Sequence, residues 1–377
     1  MIYLDYAAAT PLDPAVEAAM KPYWRQKFYN PSATYLAGRG VAADIAHARA
    51  SVAQQLGAKP SEIIFTAGGT ESDNLAINGV MQRFPKAKLL VSAIEHEAVI
   101  QAAESYTHEL IPVTEKGFVD VERLSQLIDE TTVLVSVMYA NNEIGTIQPL
   151  RQVADTIKQV LTDRRQRGNN LPLLLHTDAS QAANYLDLHV SRLGVDLMSL
   201  NGGKIYGPKQ TGGLYVKAGL SLNPQIKGGG QERGLRSGTE NVAGIIGFAK
   251  ALEIAQLLRP TELKRLQQLQ NKFIKQLQAS IPGVVVNGGM QRLPNNVHIT
   301  IPGTDNERIM MQLDEQGIVC AVGSACSASK EEPSHVLKAI SLTDVEAQAS
   351  LRFSMGRKTT QKELSTAVLA LQEIVNQ

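Results

Sequence analysis

Cysteine is scarce in this chain. Two cysteines, Cys320 and Cys326, occur in 377 residues. They are too few for a disulfide framework or for a four-thiolate metal site, and their spacing is not the C-x-x-C pattern of redox motifs. A single reactive thiol is the cysteine chemistry that this count leaves open.

Excess charge and long apolar segments are also lacking. The formal net charge is +1, and we predict that the one basic cluster, RRQR at residues 164–167, is a solvated loop. No apolar run is long enough to span a bilayer, and the first residues, MIYLDYAAAT, lack the basic and apolar regions of a signal peptide. We therefore expect a cytoplasmic protein that binds neither nucleic acid nor membrane directly.

The chain does contain apolar sequence in a regular order. Hydrophobic residues make up 44% of it, which is enough for a large core. Short apolar runs alternate with helical patterns, and this predicts an α/β domain with a mostly parallel sheet. The composition shifts at Arg259 and Pro260, after a helix predicted over residues 242–258. We therefore predict a large domain over residues 13–258 and a smaller α+β domain formed by residues 1–12 and 259–377.

Two charged residues follow predicted strands. Asp178 ends the run LPLLLHTD, and Lys204 follows the run VDLMSL and a glycine pair. Ligands of parallel sheets bind outside the carboxyl ends of the strands, so both side chains should face one crevice. A buried carboxylate and a buried lysine are each costly alone, but pyridoxal phosphate, with its cationic ring nitrogen and its aldehyde, satisfies both. Taken alone, the pair also fits an N-cap aspartate and a surface lysine.

Other polar residues stand at corresponding places. His96 and Asn142 follow the runs KLLVSAI and TTVLVSVMYA. His96 can stack on a planar cofactor or move protons, whereas E-H-E is not the H-E-x-x-H zinc motif, and we predict no metal site. After the predicted strand SEIIFT, Gly69 and Thr70 begin a helix whose amides attract phosphate, and Thr70 with Asp73 resembles a capping box. A structural histidine and an ordinary capped helix are the alternatives.

The remaining informative stretches lie towards the carboxyl end. The segment GGGQERGLRSGTEN, which starts at residue 228, is predicted to be a functional or subunit-contacting loop. Cys326 lies among Gly, Ser and Ala in GSACSAS, which is typical of either a mobile loop or a tight packing site. Arg352, in the alternating run LRFSM, either binds a carboxylate at two points or is an exposed arginine of an edge strand.

Taken together, these segments resemble the group I cysteine desulfurases of the NifS/IscS type, within the class V aminotransferases. The matching pieces follow one another in order over nearly the whole chain: YLDYAAATPLDP, NPSATYLAG, FTAGGTESDNLAI, EHEAV, ANNEIGTIQP, HTDASQA, DLMSLNGGKIYGPK, GGGQERGLRSGTEN, GSACSAS and LRFSMGR. The resemblance implies the aspartate aminotransferase fold, which is fold type I of the pyridoxal-phosphate enzymes. It also implies a homodimer with active sites near the subunit interface.

The resemblance assigns most site residues to the cofactor. Lys204 matches the Schiff-base lysine, Asp178 the partner of the pyridine nitrogen, and His96 the imidazole that stacks on the ring. The other cofactor residues that it implies are Gln181 at the ring hydroxyl and, at the phosphate, Gly69, Thr70, Asn201 and Thr239 of the other subunit.

The remaining residues are assigned to substrate and sulfur. Asn142 and Arg352 match the residues that hold the substrate carboxylate, and Cys326 matches the mobile sulfur acceptor. The implied reaction converts L-cysteine to L-alanine with a persulfide on Cys326, and Lys204, Cys326 and His96 are its catalytic residues. The sulfur would pass to an acceptor or scaffold protein for iron–sulfur clusters or for tRNA thiolation. Alternatives are a selenocysteine lyase, another β-eliminating enzyme, and a catalytically silent homologue that binds a partner.

The chain departs from the family pattern beside the lysine. Where the family carries S-G-H-K, residues 201–204 read N-G-G-K, so a serine and a histidine that contact the phosphate are absent. The contacts that remain are amides at the helix start, the Asn201 amide and Thr239 across the interface. We therefore expect cofactor retention to depend strongly on the dimer. We also expect a Gly203→His, Asn201→Ser variant to hold the cofactor more tightly.

Overall fold

A seven-stranded sheet forms the centre of the molecule in the computed structural model, which describes residues 1–323 and 333–376. The strand order is β2-β8-β7-β6-β5-β3-β4, and β8 alone runs in the direction opposite to the other six strands. These strands are β2 Ile63–Thr66, β3 Lys88–Ser92, β4 His108–Ile111, β5 Thr132–Ser136, β6 Leu174–Asp178, β7 Leu197–Asn201 and β8 Gly212–Val216. The predicted α/β class with a mostly parallel sheet is confirmed.

Helices cover both faces of this sheet. They are α1 Pro14–Met20, α2 Pro22–Arg25, α3 Leu36–Leu56, α4 Gly69–Met81, α5 Glu97–Ala103, α6 Val121–Leu127, α7 Leu150–Gln166, α8 Val190–Leu193 and α9 Val242–Ser280. Apolar side chains of α1, α3, α7 and the first part of α9 pack on one face, and those of α4 and α5 pack on the other. Strands that are buried on both faces need continuous apolar runs, which explains the runs in the sequence.

A second apolar cluster lies beyond the sheet. It contains Leu4, the second part of α9, and the antiparallel sheet β12-β10-β9. The elements here are β1 Ile2–Tyr3, β9 Val285–Val286, β10 Asn296–Thr300, α10 Asn306–Glu315, β11 Ile318–Val319, β12 Ser350–Ser354 and α13 Gln361–Val375. The two short helices α11 His335–Ala339 and α12 Asp344–Ala347 pack instead in a separate apolar cluster with Ile94, Met138 and Ile144. The first strand pairs in parallel with β11, so the two ends of the chain meet in this cluster.

The helix predicted over residues 242–258 is wrong in its end point. Helix α9 continues to Ser280 as one helix of 39 residues, with Pro260 inside it. Proline removes one backbone donor and disfavours a helix interior. Here apolar side chains are buried both before and after Pro260. Ala255 packs with the helices that cover the central sheet, and Leu266 packs in the second apolar cluster. Packing along the whole helix therefore outweighs the local stop signal.

Among the described helices, none combines the length and the apolar character needed to cross a bilayer.

Candidate active site

A cleft of about 600 Å³, partly open to solvent, lies at the carboxyl ends of the parallel strands. Asp178 ends β6, Asn201 ends β7, and His96 and Asn142 follow β3 and β5. The predicted site residues that line this one cleft are Gly69, Thr70, His96, Asn142, Asp178, Gln181, Asn201, Lys204 and Arg352. Parallel strands bring their carboxyl ends to the same edge of a sheet, and this explains the convergence.

Lys204 is held by the amino-terminal segment. It ends a short 3-10 turn, Gly202–Lys204, and its Nζ donates hydrogen bonds to the carbonyl oxygens of Ala7 at 3.0 Å and Ala8 at 2.7 Å. Only glycine fits at 202, because a β-carbon there would lie 2.2 Å from Thr211 Oγ1. Sequence reasoning missed the contact with Ala7 and Ala8, since alanines carry no chemical signal of their own.

Asp178 lies next to a cluster of buried polar side chains. It is 8% exposed, and its Oδ1 accepts a hydrogen bond from the Ser180 amide at 2.8 Å. Behind it, His176 contacts Ser136 Oγ at 2.8 Å through Nδ1 and Ser199 Oγ at 3.0 Å through Nε2. Burial lowers the pKa of His176 to about 4, so this imidazole is neutral at physiological pH.

Asp73 also faces this cleft, and its predicted capping role is wrong. Helix α4 begins at Gly69 with Gly68 as its N-cap, so Thr70 lies inside the first turn. The Asp73 carboxylate instead lies 3.5 Å from His176 Nε2 and is 1% exposed. Burial, and then the charge of Asp178, raise the pKa of Asp73 well above its usual range. A buried aspartate one turn into a helix looks like a cap in sequence, and only the packing distinguishes the two.

The two residues expected at the cofactor ring are oriented by hydrogen bonds. His96 caps helix α5, and its Nδ1 accepts from the Ala98 amide at 3.0 Å. Nδ1 is therefore the hydrogen-bond acceptor, and in the neutral imidazole the proton is on Nε2. Gln181 donates from Nε2 to the carbonyl oxygen of Ala7 at 3.0 Å, so the amino-terminal segment touches both Gln181 and Lys204.

Arg352 is buried. It is 2% exposed on β12, which contradicts the alternative of an exposed edge-strand arginine. One terminal nitrogen donates to the carbonyl oxygen of Asn142 at 3.0 Å, and the other pairs with Asp5 Oδ1 at 2.7 Å. Asp5 is a site residue that sequence reasoning missed, because it lies 347 positions from its partner.

Of the predicted site residues that the structure describes, Thr239 does not line this cleft. Thr239 is exposed and lies outside the cleft of its own chain, just before α9. Cys326 lies outside the described residues. The other cysteine, Cys320, is 6% exposed, and burial, followed by the charge of Asp5, raises the pKa of its thiol to about 12. Its thiol is therefore protonated, and it packs as a small apolar side chain.

Comparison with known proteins identifies the family. The sequence profile of the class-V aminotransferases matches residues 2–366. The chain belongs to the class-V aminotransferase family. Among its relatives, the cysteine desulfurase IscS of Dictyoglomus turgidum is 42% identical over 382 residues, which cover 99% of this chain and 94% of the relative. The cysteine desulfurase IscS of Clostridium botulinum is 39% identical over 386 residues, or 100% of this chain and 94% of that protein.

Solved structures of other members share the fold. A NifS-like protein superposes with a TM-score of 0.91 at 33% sequence identity and covers 100% of this chain and 99% of its own. A structure of SspA in complex with cysteine has a TM-score of 0.81 at 33% identity, over 94% of this chain and 99% of that one. The predicted family and fold class are therefore confirmed.

The cleft of this class-V aminotransferase suits pyridoxal phosphate. The Ser180 hydroxyl is buried and makes no hydrogen bond within the described residues. It faces Gly69, where a β-carbon would lie 3.1 Å from Ser180 Oγ and would fill the space. Helix α4 starts there, and its amides carry partial positive charge that favours phosphate. A lysine amine and a carboxylate in the same cleft match the aldehyde and the ring nitrogen of the cofactor.

Proposed function

We propose that this protein is a pyridoxal-phosphate-dependent cysteine desulfurase that converts L-cysteine to L-alanine and keeps the sulfur as a persulfide on Cys326. The observation that carries the proposal is the single cleft that combines Lys204 and Asp178 with the buried Arg352. The relatives described as IscS cysteine desulfurases, and the SspA structure that contains cysteine, support the same substrate.

The cofactor contacts follow from the cleft. The amides of Gly69 and Thr70 and the hydroxyl of Ser180 bind the phosphate. Asp178 faces the ring nitrogen and favours its protonated form. The remaining contacts in the proposal are Gln181 at the ring hydroxyl, His96 at the ring face, Lys204 at the aldehyde, Asn201 at the phosphate and Thr239 of the other subunit at the phosphate. When bound, pyridoxal phosphate supplies an electron sink that makes the α-proton of an amino acid acidic.

Arg352 and Lys204 act on different parts of the substrate. Arg352 binds the carboxylate of L-cysteine, and its guanidinium is fixed for this by Asp5 and by the backbone of Asn142, whose side-chain amide adds a second donor. Lys204 takes the α-proton. The carbonyl oxygens of Ala7 and Ala8 keep its Nζ directed into the cleft, which limits the loss of side-chain entropy in the transition state.

Sulfur transfer is balanced without an external oxidant. The Cys326 thiolate attacks the sulfur of the substrate, the bond from that sulfur to the β-carbon breaks, and a sulfur–sulfur bond forms. L-Cysteine and one thiol thus yield L-alanine and one persulfide. Cys320 is unsuited to this step, since its thiol is buried and protonated.

The wider setting is part of the proposal. We place the enzyme in the cytoplasm as a homodimer that delivers sulfur to an acceptor or scaffold protein of iron–sulfur assembly or tRNA thiolation. A chain with two cysteines and a thiol that must stay reduced fits that compartment. We also propose a large domain of residues 13–258 and a small domain of residues 1–12 and 259–377, which the separate apolar clusters support.

The test measures alanine and sulfide from L-cysteine with a reductant present. Lys204→Ala is expected to lower turnover by roughly a thousandfold or more, because one residue supplies both the cofactor attachment and the base. Cys326→Ala is expected to bind L-cysteine, as a shift in cofactor absorbance, and to release no sulfide. Cys320→Ala is the matched control and should keep its activity.

Three results would overturn the proposal. Sulfide release by Cys326→Ala at the rate of the unchanged protein would exclude the persulfide. A protein that binds no pyridoxal phosphate would be a silent homologue, which is the alternative that the N-G-G-K sequence favours. Faster alanine formation from L-selenocysteine than from L-cysteine, independent of Cys326, would indicate a selenocysteine lyase instead.

A further inference from the structure

The place of the missing histidine is occupied by another side chain. A β-carbon built on Gly203 would lie 3.1 Å from Cδ of Lys209. The aliphatic part of Lys209 therefore takes the space in which a side chain at 203 would begin. Residues 203 and 209 belong to one loop, since the Gly202 amide donates to the Thr211 carbonyl oxygen at 2.8 Å and closes it.

Lys209 shares one part of the cleft with the start of helix α4. It lines a second part of the cleft together with Gly69, Thr70, Asn201 and Gln210. Its Nζ donates to the carbonyl oxygen of Thr10 at 2.5 Å. An ammonium group has three N–H donors, so this contact positions the group and leaves further donor capacity for an anion at the helix start.

Gln210 lines the same part of the cleft from a strained backbone. Its φ is +56°, in the left-handed region that favours glycine, and the side chain is exposed. Such a conformation is unfavourable at a non-glycine residue and is concentrated at functional sites. The amide of Gln210 supplies two N–H donors.

The acidic residue nearest to these groups is already paired. Glu71, in the first turn of α4, also lines this part of the cleft. Its carboxylate pairs with Arg236 Nε at 3.0 Å and accepts from the Ala67 amide at 3.1 Å. Its charge is thereby offset, and the cleft remains suited to an anion.

We propose that Lys209 and Gln210 bind the phosphate of pyridoxal phosphate in place of the serine and histidine that are absent at residues 201 and 203. This inference rests on the proposed function, because it takes the same cofactor. Lys209 supplies the positive charge and Gln210 a neutral donor, and both approach from the turn that follows Lys204.

The experiment separates the phosphate from the rest of the cofactor. Full-length protein is stripped of cofactor and titrated by absorbance with pyridoxal phosphate and with pyridoxal, which lacks the phosphate. Lys209→Met keeps the aliphatic stem and should weaken pyridoxal phosphate binding by about tenfold, or about 1.4 kcal/mol, while pyridoxal binding changes less than about twofold. Gln210→Gly relieves the left-handed strain, so it should fold well and still bind the phosphate form about threefold more weakly.

The control is Lys217→Met, an exposed lysine directly after β8, the strand that follows this turn, which pairs with Asp196 at 2.9 Å. It should leave both affinities unchanged. A second set of measurements adds Gly203→His to the unchanged protein and to the Lys209→Ala variant. We expect little gain while Lys209 is present, because its stem must move, and a recovery of about tenfold in Lys209→Ala. The tighter binding expected of the Gly203→His, Asn201→Ser variant should therefore require that Lys209 is also replaced.

Equal affinity of Lys209→Met and the unchanged protein for pyridoxal phosphate would overturn the inference and leave the proposed function intact. Equal losses for pyridoxal and pyridoxal phosphate would also overturn it, since the effect would not involve the phosphate. Failure of the unchanged protein to bind either compound would overturn the proposed function together with the inference.

Discussion

At the scale of the residue, burial decides which groups carry charge. His298 on β10 is 0% exposed and pairs in register with Arg352. Its Nδ1 accepts from Asn287 Nδ2 at 3.0 Å, which places the proton on Nε2. Burial, then the charges of Arg352 and Arg292, lower the pKa of His298 to about 3. The imidazole therefore stays neutral beside the arginine that is proposed to bind the substrate.

This lowered pKa predicts loss of stability in acid. Above the unfolded pKa of about 6.5, His298 is neutral in both states. As the pH falls from about 6.5 towards 3, the unfolded chain gains a proton that the folded chain cannot accept, so the free energy of unfolding decreases by up to about 1.4 kcal/mol per pH unit.

In His298→Gln this slope should be shallower by that amount between about pH 6 and pH 4, measured by denaturant unfolding at each pH. The slope of the free energy of unfolding against pH is compared, rather than its value at one pH, because the substitution also changes packing. An unchanged slope would show that His298 is not neutral in the folded protein.

At the scale of the element, two of the helices that end at glycines in the left-handed conformation can be compared. Helix α3 ends at Gly57, with φ +62°, and α7 is followed by Gly168, with φ +85°. Gly57 is the C-cap of α3. The surroundings differ, because a β-carbon on Gly57 would lie 2.2 Å from His189 Nε2, whereas a β-carbon on Gly168 would meet nothing within 4 Å.

The difference predicts unequal effects of the same substitution. Gly168→Ala should lower the free energy of unfolding by about 1 kcal/mol, the cost of a left-handed alanine. Gly57→Ala adds the clash with His189 and should cost about 2–4 kcal/mol. Urea unfolding measures both, and Gly57→Ala with His189→Ala should recover part of the loss. Equal costs at the two sites would show that His189 moves aside freely.

At the scale of the whole molecule, an apolar surface near the amino end supports the proposed homodimer. Phe28 stacks on Tyr29 with ring centroids 4.6 Å apart, and Tyr29 contacts Tyr35 at 6.2 Å. Phe28 is 66% exposed and Leu36 79% exposed. Exposed apolar patches of this kind mark interaction sites, and the occupant that we propose is a second copy of the chain.

The proposed homodimer predicts that Thr239 acts across the subunit interface. In a heterodimer of one Lys204→Ala subunit and one Thr239→Val subunit, the second subunit keeps Lys204 and receives an intact Thr239 from the first. Its cofactor should then dissociate as slowly as from the unchanged protein, whereas the Thr239→Val homodimer should bind it about tenfold more weakly. Dialysis followed by absorbance measures both. Equally fast loss from the two assemblies would place Thr239 in its own subunit or outside the site.

Sequence alone determined the parallel sheet and the residues at its carboxyl edge. Asp178, His96 and Asn142 follow apolar runs directly, and a strand's end is a local property that a run of a few residues carries. The resemblance then supplied a role for each. The same local logic failed for α9, which continues through Pro260, and for Asp73, whose carboxylate is buried rather than capping. It also failed for the basic cluster at residues 164–167, which was predicted to be a solvated loop but forms the end of α7 with Arg164 buried.

Only the tertiary structure decided which distant residues meet and what burial does to them. The contacts of Arg352 with Asp5 and Asn142 join positions separated by 347 and 210 residues, and no periodic pattern specifies such a pair. The lowered pKa values of His176 and His298 and the raised pKa of Asp73 arise from desolvation, which depends on neighbours from several elements. The approach of Lys209 to Gly203 likewise depends on the shape of one turn, because their separation is set by backbone geometry rather than by residue type.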